Sequence, residues 1–157
     1  MTTFDLGALV AALQQRGVDY VAVDGVAVTA HGYLRATQDL DIVPDPDPAN
    51  LRRLADALIE LGAVLPLADR RRFDLAQDLR RLERRQSMTL DTSVGGLDVI
   101  QSAPAVPSFD TLAQDAVEAD LFGVSVRICS LRRLRAMKEA TGRAQDRADL
   151  ENLPETD

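Results

Sequence analysis

The chain has 157 residues, 46% of them hydrophobic, and a formal net charge of -7; that is enough for one domain that buries a core without disulfides or a structural metal. The acidic balance disfavours non-specific nucleic-acid binding, because a polyanion needs lysine and arginine to displace its counterions. One cysteine, Cys129, leaves no intramolecular disulfide, no run approaches the ~20 apolar residues of a membrane span, and no secretory segment follows Met1, so a single cytoplasmic domain over 1–157 with a frayed tail at 154–157 is expected.

Leu6, Leu9, Val10 and Leu13 recur at helical spacing before Gly17 and predict a helix from about Phe4 to Arg16. A short strand follows over Asp19 to Val23, then a small-residue helix from Val26 to His31 that Gly32 ends. Gln38 to Val43 alternates polar with apolar, the period of a strand with one packed and one open face. Asp47-Pro48 supplies an N-cap and a first-turn proline for a helix carrying Leu51, Leu54, Leu58 and Leu61, closed by Gly62. Beyond Val64 to Leu67, a polar helix is expected over Phe73 to Arg85. Strands follow near Met88 to Thr92 and Leu97 to Gln101 around a Gly95-Gly96 hairpin, and then Val117 to Asp120 and Val124 to Ile128 around Phe122-Gly123. Helical sequence from Leu131 to Leu153, broken at Gly142, completes the chain. Strands interleaved without regular alternation predict an α+β fold, a mixed β-sheet with helices packed mainly on one face.

On a strand, Asp39 and Asp41 share a face with their Cα atoms ~6.6 Å apart. Carboxylate oxygens are the ligands magnesium prefers, and two ions about 3.5–4 Å apart clamp the attacking and leaving oxygens of an in-line phosphoryl displacement. Asp98, between Leu97 and Val99, could add a third carboxylate from a neighbouring strand. By spacing alone, Asp-x-Asp is also a common exposed strand face.

The wider context is more specific. Val23-Asp24-Gly25-Val26-Ala27 and then His31-Gly32-Tyr33-Leu34-Arg35-Ala36-Thr37-Gln38-Asp39-Leu40-Asp41-Ile42 resemble the signature of small prokaryotic nucleotidyltransferase-like proteins of the DNA polymerase beta superfamily: Gly-Gly-x-Ala, a short helix, His-Gly, then Arg-x-Thr-x-Asp-Leu-Asp-Ile. Met137-Lys138, Gly142-Arg143, Gln145-Asp146 and Asp149-Leu150 resemble the closing motifs of that family, so the likeness runs from Tyr20 to Leu153 and is weakest in the middle. It implies a polymerase beta-like nucleotidyltransferase fold and transfer of a nucleoside monophosphate from an NTP to a hydroxyl, with pyrophosphate released. It further implies two Mg2+ ions on Asp39, Asp41 and Asp98, the last helping to deprotonate the acceptor. Gly25, Arg35, Thr37 and Lys138 would border the triphosphate. The family carries glycine or another small residue where this chain has Asp24, which either crowds a phosphate or turns aside to cap the following helix. A catalytically degenerate domain that binds nucleotide or a partner protein is the alternative.

The other polar residues have structural readings. Arg35 could pair with a domain acid, Lys138 could lie exposed on its helix, and Arg143 with Asp146 fits an i,i+3 ion pair. His31 reads as a structural hydrogen-bonding group and Cys129 as a small buried hydrophobe. Seven arginines lie between Arg70 and Arg85. Of these, Arg70, Arg71, Arg80, Arg81, Arg84 and Arg85 are the candidate RNA contacts, which would suit the toxin-type relatives of toxin-antitoxin pairs. A small acceptor would suit the antibiotic-modifying ones, and the bland reading of the arginines is a solvated helix face balanced by acids.

Overall fold

The computed structural model describes residues 4–156. Helix α1 (Leu6–Gln15) opens with the Asp5 carboxylate accepting from the Ala8 N–H and buries Leu9, Val10 and Leu13. Strand β1 (Tyr20–Val23) leads without a loop into α2 (Asp24–Ala30), and β2 (Asp39–Pro44) follows. Helix α3 (Pro48–Glu60) has Pro48 in its first turn, as expected, and turns Leu51, Leu54 and Leu58 into the core. The buried Asn50 amide fastens the start of α3 to the strands. It accepts from the Asp19 N–H at 2.7 Å and donates to the carbonyls of Asp19 and Asp45.

Helix α4 (Leu75–Glu83) is capped by Asp74. Then come β3 (Met88–Thr92), β4 (Gly95–Val99), α5 (Phe109–Ala113), β5 (Val117–Leu121), β6 (Val124–Ile128), α6 (Leu131–Thr141) and α7 (Ala144–Asn152). Ser130 caps α6, and Gly142 ends it in the left-handed conformation at φ 59°. Pro154 is held through its carbonyl by Arg135, and Leu153 is buried; of the tail expected at 154–157, Asp157 lies outside the described residues.

The six strands form one mixed sheet in the order β3-β4-β2-β1-β6-β5. Strand β2 runs parallel to β4, β1 runs parallel to β6, and the other pairs are antiparallel. This is the α+β architecture expected from the sequence. Burial alternates along β3, β4 and β6, so one face of these strands packs on the core and the other stays accessible. At the centre, β1 is buried at all four positions, with both α2 and α5 packed on it.

Three expectations shift. The helix placed at Val26 begins two residues earlier, at Asp24, whose φ of 56° makes the sharp exit from β1. The five-residue α5 was not anticipated; it is too short to show a helical period. The hairpin expected at Gly95-Gly96 turns instead at Ser93-Val94, and both glycines belong to β4. They are needed for clearance: a Cβ on Gly95, at φ 131°, would come within 2.5 Å of the Phe4 ring, and one on Gly96 would collide with the Asp39 carboxylate. The second hairpin turns where expected, with Phe122 and Gly123 both at positive φ, the backbone that matches strand twist in two-residue loops.

Gly95→Ala combines a disallowed φ with displacement of Phe4 and is expected to cost roughly 1–3 kcal/mol. A urea titration followed by circular dichroism measures it, and an unchanged midpoint would contradict this account of the β3–β4 turn.

Candidate active site

Residues paired across neighbouring strands share a face of the sheet. Two rows therefore cross its accessible face. One is Thr89, Asp98, Asp41, Val23; the other is Asp91, Gly96, Asp39. The first row sets Asp41 directly opposite Asp98 on strands ~4.8 Å apart, and Asp39 follows two residues away on β2. The register leaves Leu40, Ile42, Leu97 and Val99 on the core side, all buried.

This acidity has physical consequences. Burial, a hydrogen bond with Asp98, and the negative charges of Asp24, Asp98 and Asp39 push the Asp41 pKa up to about 8. Desolvation and the charges of Asp98 and Asp91 also raise that of Asp39. The Asp39 carboxylate lies against the bare backbone of Gly96. Among the described residues, no three carboxylate, imidazole or thiol groups are arranged as a ready-made set of metal ligands. Asp41 and Asp98 stand opposite each other on neighbouring strands, with Asp39 two residues away along β2.

Beside them, Lys138 on α6 is 3% exposed, far from the exposed helix position that its polar surroundings in the sequence allowed. Its ammonium contacts Asp24 on α2, Asp146 at 3.1 Å and Asp149 at 2.9 Å on α7. Asp149 also receives Arg35 in a two-point contact, at 2.8 and 3.0 Å. Asp146 also receives Arg143 at 2.9 Å and the Thr141 hydroxyl at 2.6 Å. Asp24 lies 3.9 Å from Arg35 and 3.8 Å from Arg143. Three cations and three carboxylates thus close on one another. Asp24 neither caps α2, whose N-cap is Val23, nor points away: it anchors Lys138. Arg35 and Lys138, the residues expected to border a triphosphate, have acids as their partners.

Thr37 is held against α2. Its hydroxyl donates to the Asp39 carbonyl at 3.2 Å, and a Cβ on Gly25 would come within 2.7 Å of that oxygen. Glycine at 25 therefore lets the loop before β2 lie flat on the helix. The sequence marked Asp149 only as part of a closing motif, without a role, and gave no sign of Asp91 or of the partners of Asp24; the domain acid that Arg35 could pair with is Asp149. The spacing of Lys138, Asp146 and Asp149 on two helices hinged at Gly142 was the available signal.

Two clefts meet at this cluster. One, of about 470 Å³, is lined by Gly25, Arg35, Thr37, Gln38 and Asp39. The other, of about 380 Å³, runs past Asp98 and is also lined by Ile100, Val106, Leu134 and Met137. Asp24, Asp41, Lys138, Arg143 and Asp146 line both. Small residues in the loop after β4, Ala103 and Ala105, open the second cleft.

The arginine-rich stretch resolves into two groups. Arg71 and Arg81 converge on the fully buried Asp78, at 2.9 and 3.4 Å, and Arg70 meets Asp91 at 3.2 Å. Arg80, Arg84 and Arg85 are exposed. None of the six lines either cleft at Asp41. His31 makes the structural contact expected of it, Nε2 to the Cys129 carbonyl at 2.8 Å, and Cys129 is fully buried.

Lys138→Met should cost about 3–5 kcal/mol at neutral pH, because three carboxylates would be left facing one another without their buried cation. The sign of the pH dependence follows from the shifts. Burial alone would raise the pKa of Asp146 and Asp149, but hydrogen bonds from Arg143, Thr141 and Lys138, and from Lys138, Arg35 and Gln145, outweigh it and lower both. Their contribution is complete above the ordinary 3.8 and is lost as pH falls toward the lowered values. Burial opposes the Lys138 charge, yet the hydrogen bonds of Asp24 and Asp149 raise its pKa. That contribution is complete below the ordinary 10.5 and is lost only above the raised value. Urea titrations from pH 8 to pH 3 should show the variant's deficit shrinking at the acid end. A pH-independent deficit would refute the network's role.

No protein-family model matches the chain, and no curated protein matches its sequence. Its fold does have a counterpart among solved structures: "a putative nucleotidyltransferase (TM1012)" from Thermotoga maritima superposes over 93% of this chain and 88% of that one, with a TM-score of 0.58 and 12% sequence identity. At that identity the likeness establishes a nucleotidyltransferase-like α+β fold and leaves the chemistry to be argued from the residues.

Proposed function

We propose that the protein transfers a nucleoside monophosphate from an NTP to an acceptor hydroxyl, assisted by magnesium, at the face carrying Asp39, Asp41 and Asp98. The observation that carries this reading is the parallel register of β2 on β4, which sets Asp41 against Asp98 with Asp39 next along, where two clefts meet. An acidic pair with no cation of its own suits a hard divalent ion, whose preferred ligands are carboxylate oxygens. Asp41 and Asp98 would hold the ion and Asp39 would share it. When bound, magnesium neutralises phosphate charge and polarises the reacting oxygens.

The remaining work falls to the protein's own residues. Arg143, two-thirds exposed at its side chain, would reach a phosphate by leaving its two-point contact with Asp146, whereas Arg35, less exposed, is fixed by Asp149 and shapes the cleft wall. The acceptor oxygen bonds to the α-phosphorus, the bond to the bridging oxygen breaks, and pyrophosphate leaves. The acceptor's proton passes to a carboxylate, for which Asp98 is placed. Positioning and charge stabilisation supply most of the acceleration in such reactions.

Asp41→Asn and Asp98→Asn should each lower magnesium-dependent pyrophosphate release from NTP by at least about 100-fold, with folding checked by thermal melting. Turnover at wild-type rate in either variant would remove the mechanism. The closed network around Lys138 favours a second reading, in which the domain binds nucleotide or a protein partner without turnover. Calorimetry with ATP, CTP, GTP and UTP, with and without magnesium, separates the two: heat of binding without product formation supports the second.

A further inference from the structure

The sheet ends differently on its two sides. At β3 the backbone of Val64 bridges that of Asp91, at 2.8 and 2.9 Å, and covers part of the edge. At the other side, β5 pairs with β6 alone among the described residues. Leu121 and Val124 flank a two-residue turn and close the hairpin with paired backbone bonds, after which bonded and non-bonded pairs alternate. Ala119 and Val117 therefore bond inward to β6, and the N–H and C=O groups of Glu118 and Asp120 point out of the sheet. Among the described residues no other backbone group takes them up. We propose that this edge is a docking site for an extended segment of another protein, in which lysine or arginine alternates with apolar residues and which pairs with β5 as an added strand.

The side chains specify the occupant. Glu118 and Asp120 share one face of β5 and are exposed. The Asp120 carboxylate takes the Gly123 N–H, at 2.7 Å, and keeps its charge unpaired. Arg127, opposite Glu118 on β6, lies over the Phe109 ring at 5.2 Å and 3.8 Å from Asp19, which leaves Glu118 without a salt bridge among the described residues. Asp19, Asp45 and Glu118 line the adjoining cleft against that one arginine, so this face of the edge is negative. Opposite charges directly across neighbouring strands stabilise the pairing and like charges oppose it. The residues of an added strand that stand across from Glu118 and Asp120 are therefore basic. On the other face, Ala119 and Leu121 pack against the core, while Val117 is 43% exposed and Phe122, in the turn, 78%. Phe122 holds φ 55°, strained for a bulky residue and easy for asparagine or glycine. Acids that only kept strand edges apart would not call for this apolar rim, which the intervening residues of the added strand cover. A second copy of this chain is the wrong occupant: antiparallel pairing over the full strand would set each Glu118 opposite the other's Asp120.

The test is amide NMR with hydrogen exchange on the full-length protein, titrated with two end-capped peptides: Thr-Val-Lys-Val-Lys-Val-Thr and the same peptide with glutamate in place of lysine. The lysine peptide should shift the amides of residues 117–121 saturably and slow exchange at Glu118 and Asp120. The glutamate peptide should bind at least about tenfold more weakly. Glu118→Lys combined with Asp120→Asn, which keeps an acceptor for the Gly123 N–H and the backbone pairing with β6, should invert the order of the two peptides. Glu118→Pro, which removes an outward N–H and no bond to β6, should abolish the protection; the charge-reversed variant decides alone if the proline variant does not fold. Equal binding of the two peptides, an unchanged order in the charge-reversed variant, or shifts confined to the clefts at Asp41 would overturn the proposal. So would concentration-dependent protection of Glu118 and Asp120 without peptide, which would put a second copy on the edge. None of these readouts uses nucleotide or magnesium, so they stand apart from the transfer reading.

Discussion

The parallel register between β2 and β4 is the constraint from which the site follows. Asp41 opposes Asp98 only because Leu40 opposes Leu97 and Ile42 opposes Val99, and those four apolar side chains are buried. A slip of one residue would put leucines in the cleft and aspartates in the core. Burial of the apolar set, each member worth about 1.5–3 kcal/mol, therefore fixes the acidic set in place against its own repulsion. The cost appears as the raised pKa of Asp41, a mark of destabilised negative charge at a place where an added cation would be welcome.

A second layer of charge encloses the first. Lys138, Arg35 and Arg143 are satisfied by Asp24 of α2 and by Asp146 and Asp149 of α7, so α6 and α7 are held to α2 by directional polar contacts. Positive φ at Asp24 carries backbone strain that a glycine would avoid; the Lys138 contact explains why aspartate stands there. This position is where the chain departs from the family that its signature resembles, and the departure is coherent: the acid at 24 and the cage of acids around the lysine belong to one arrangement.

Much of this was legible because it rests on local patterns. The alternation of Gln38 to Val43 identified β2 and the face of its aspartates, and Leu97-Asp98-Val99 did the same for β4. Gly95-Gly96 misled because two glycines suit a hairpin turn as well as a strand crowded by neighbours, and the crowding by Phe4 and Asp39 comes from elsewhere in the chain. The arginines between Arg70 and Arg85 looked like one basic surface, yet Asp78, buried on the inner side of α4, draws in Arg71 and Arg81. Composition shows that charges are close in sequence, not which are inward. The aliphatic cleft was not legible at all. Its walls come from β4, the loop after it and α6, and each taken separately reads as ordinary core or loop.

The Lys138–Asp24 and Arg35–Asp149 contacts each span 114 residues. Both contacts need α6 or α7, the last elements of the chain, so they can form only once the rest of the domain has been made. A chain emerging during synthesis would have both aspartates of β2 long before α6 and α7 arrive to shield Asp24. Its charge cluster would stay open to water until the final helices dock, which ties the shape of the candidate site to completion of the whole domain.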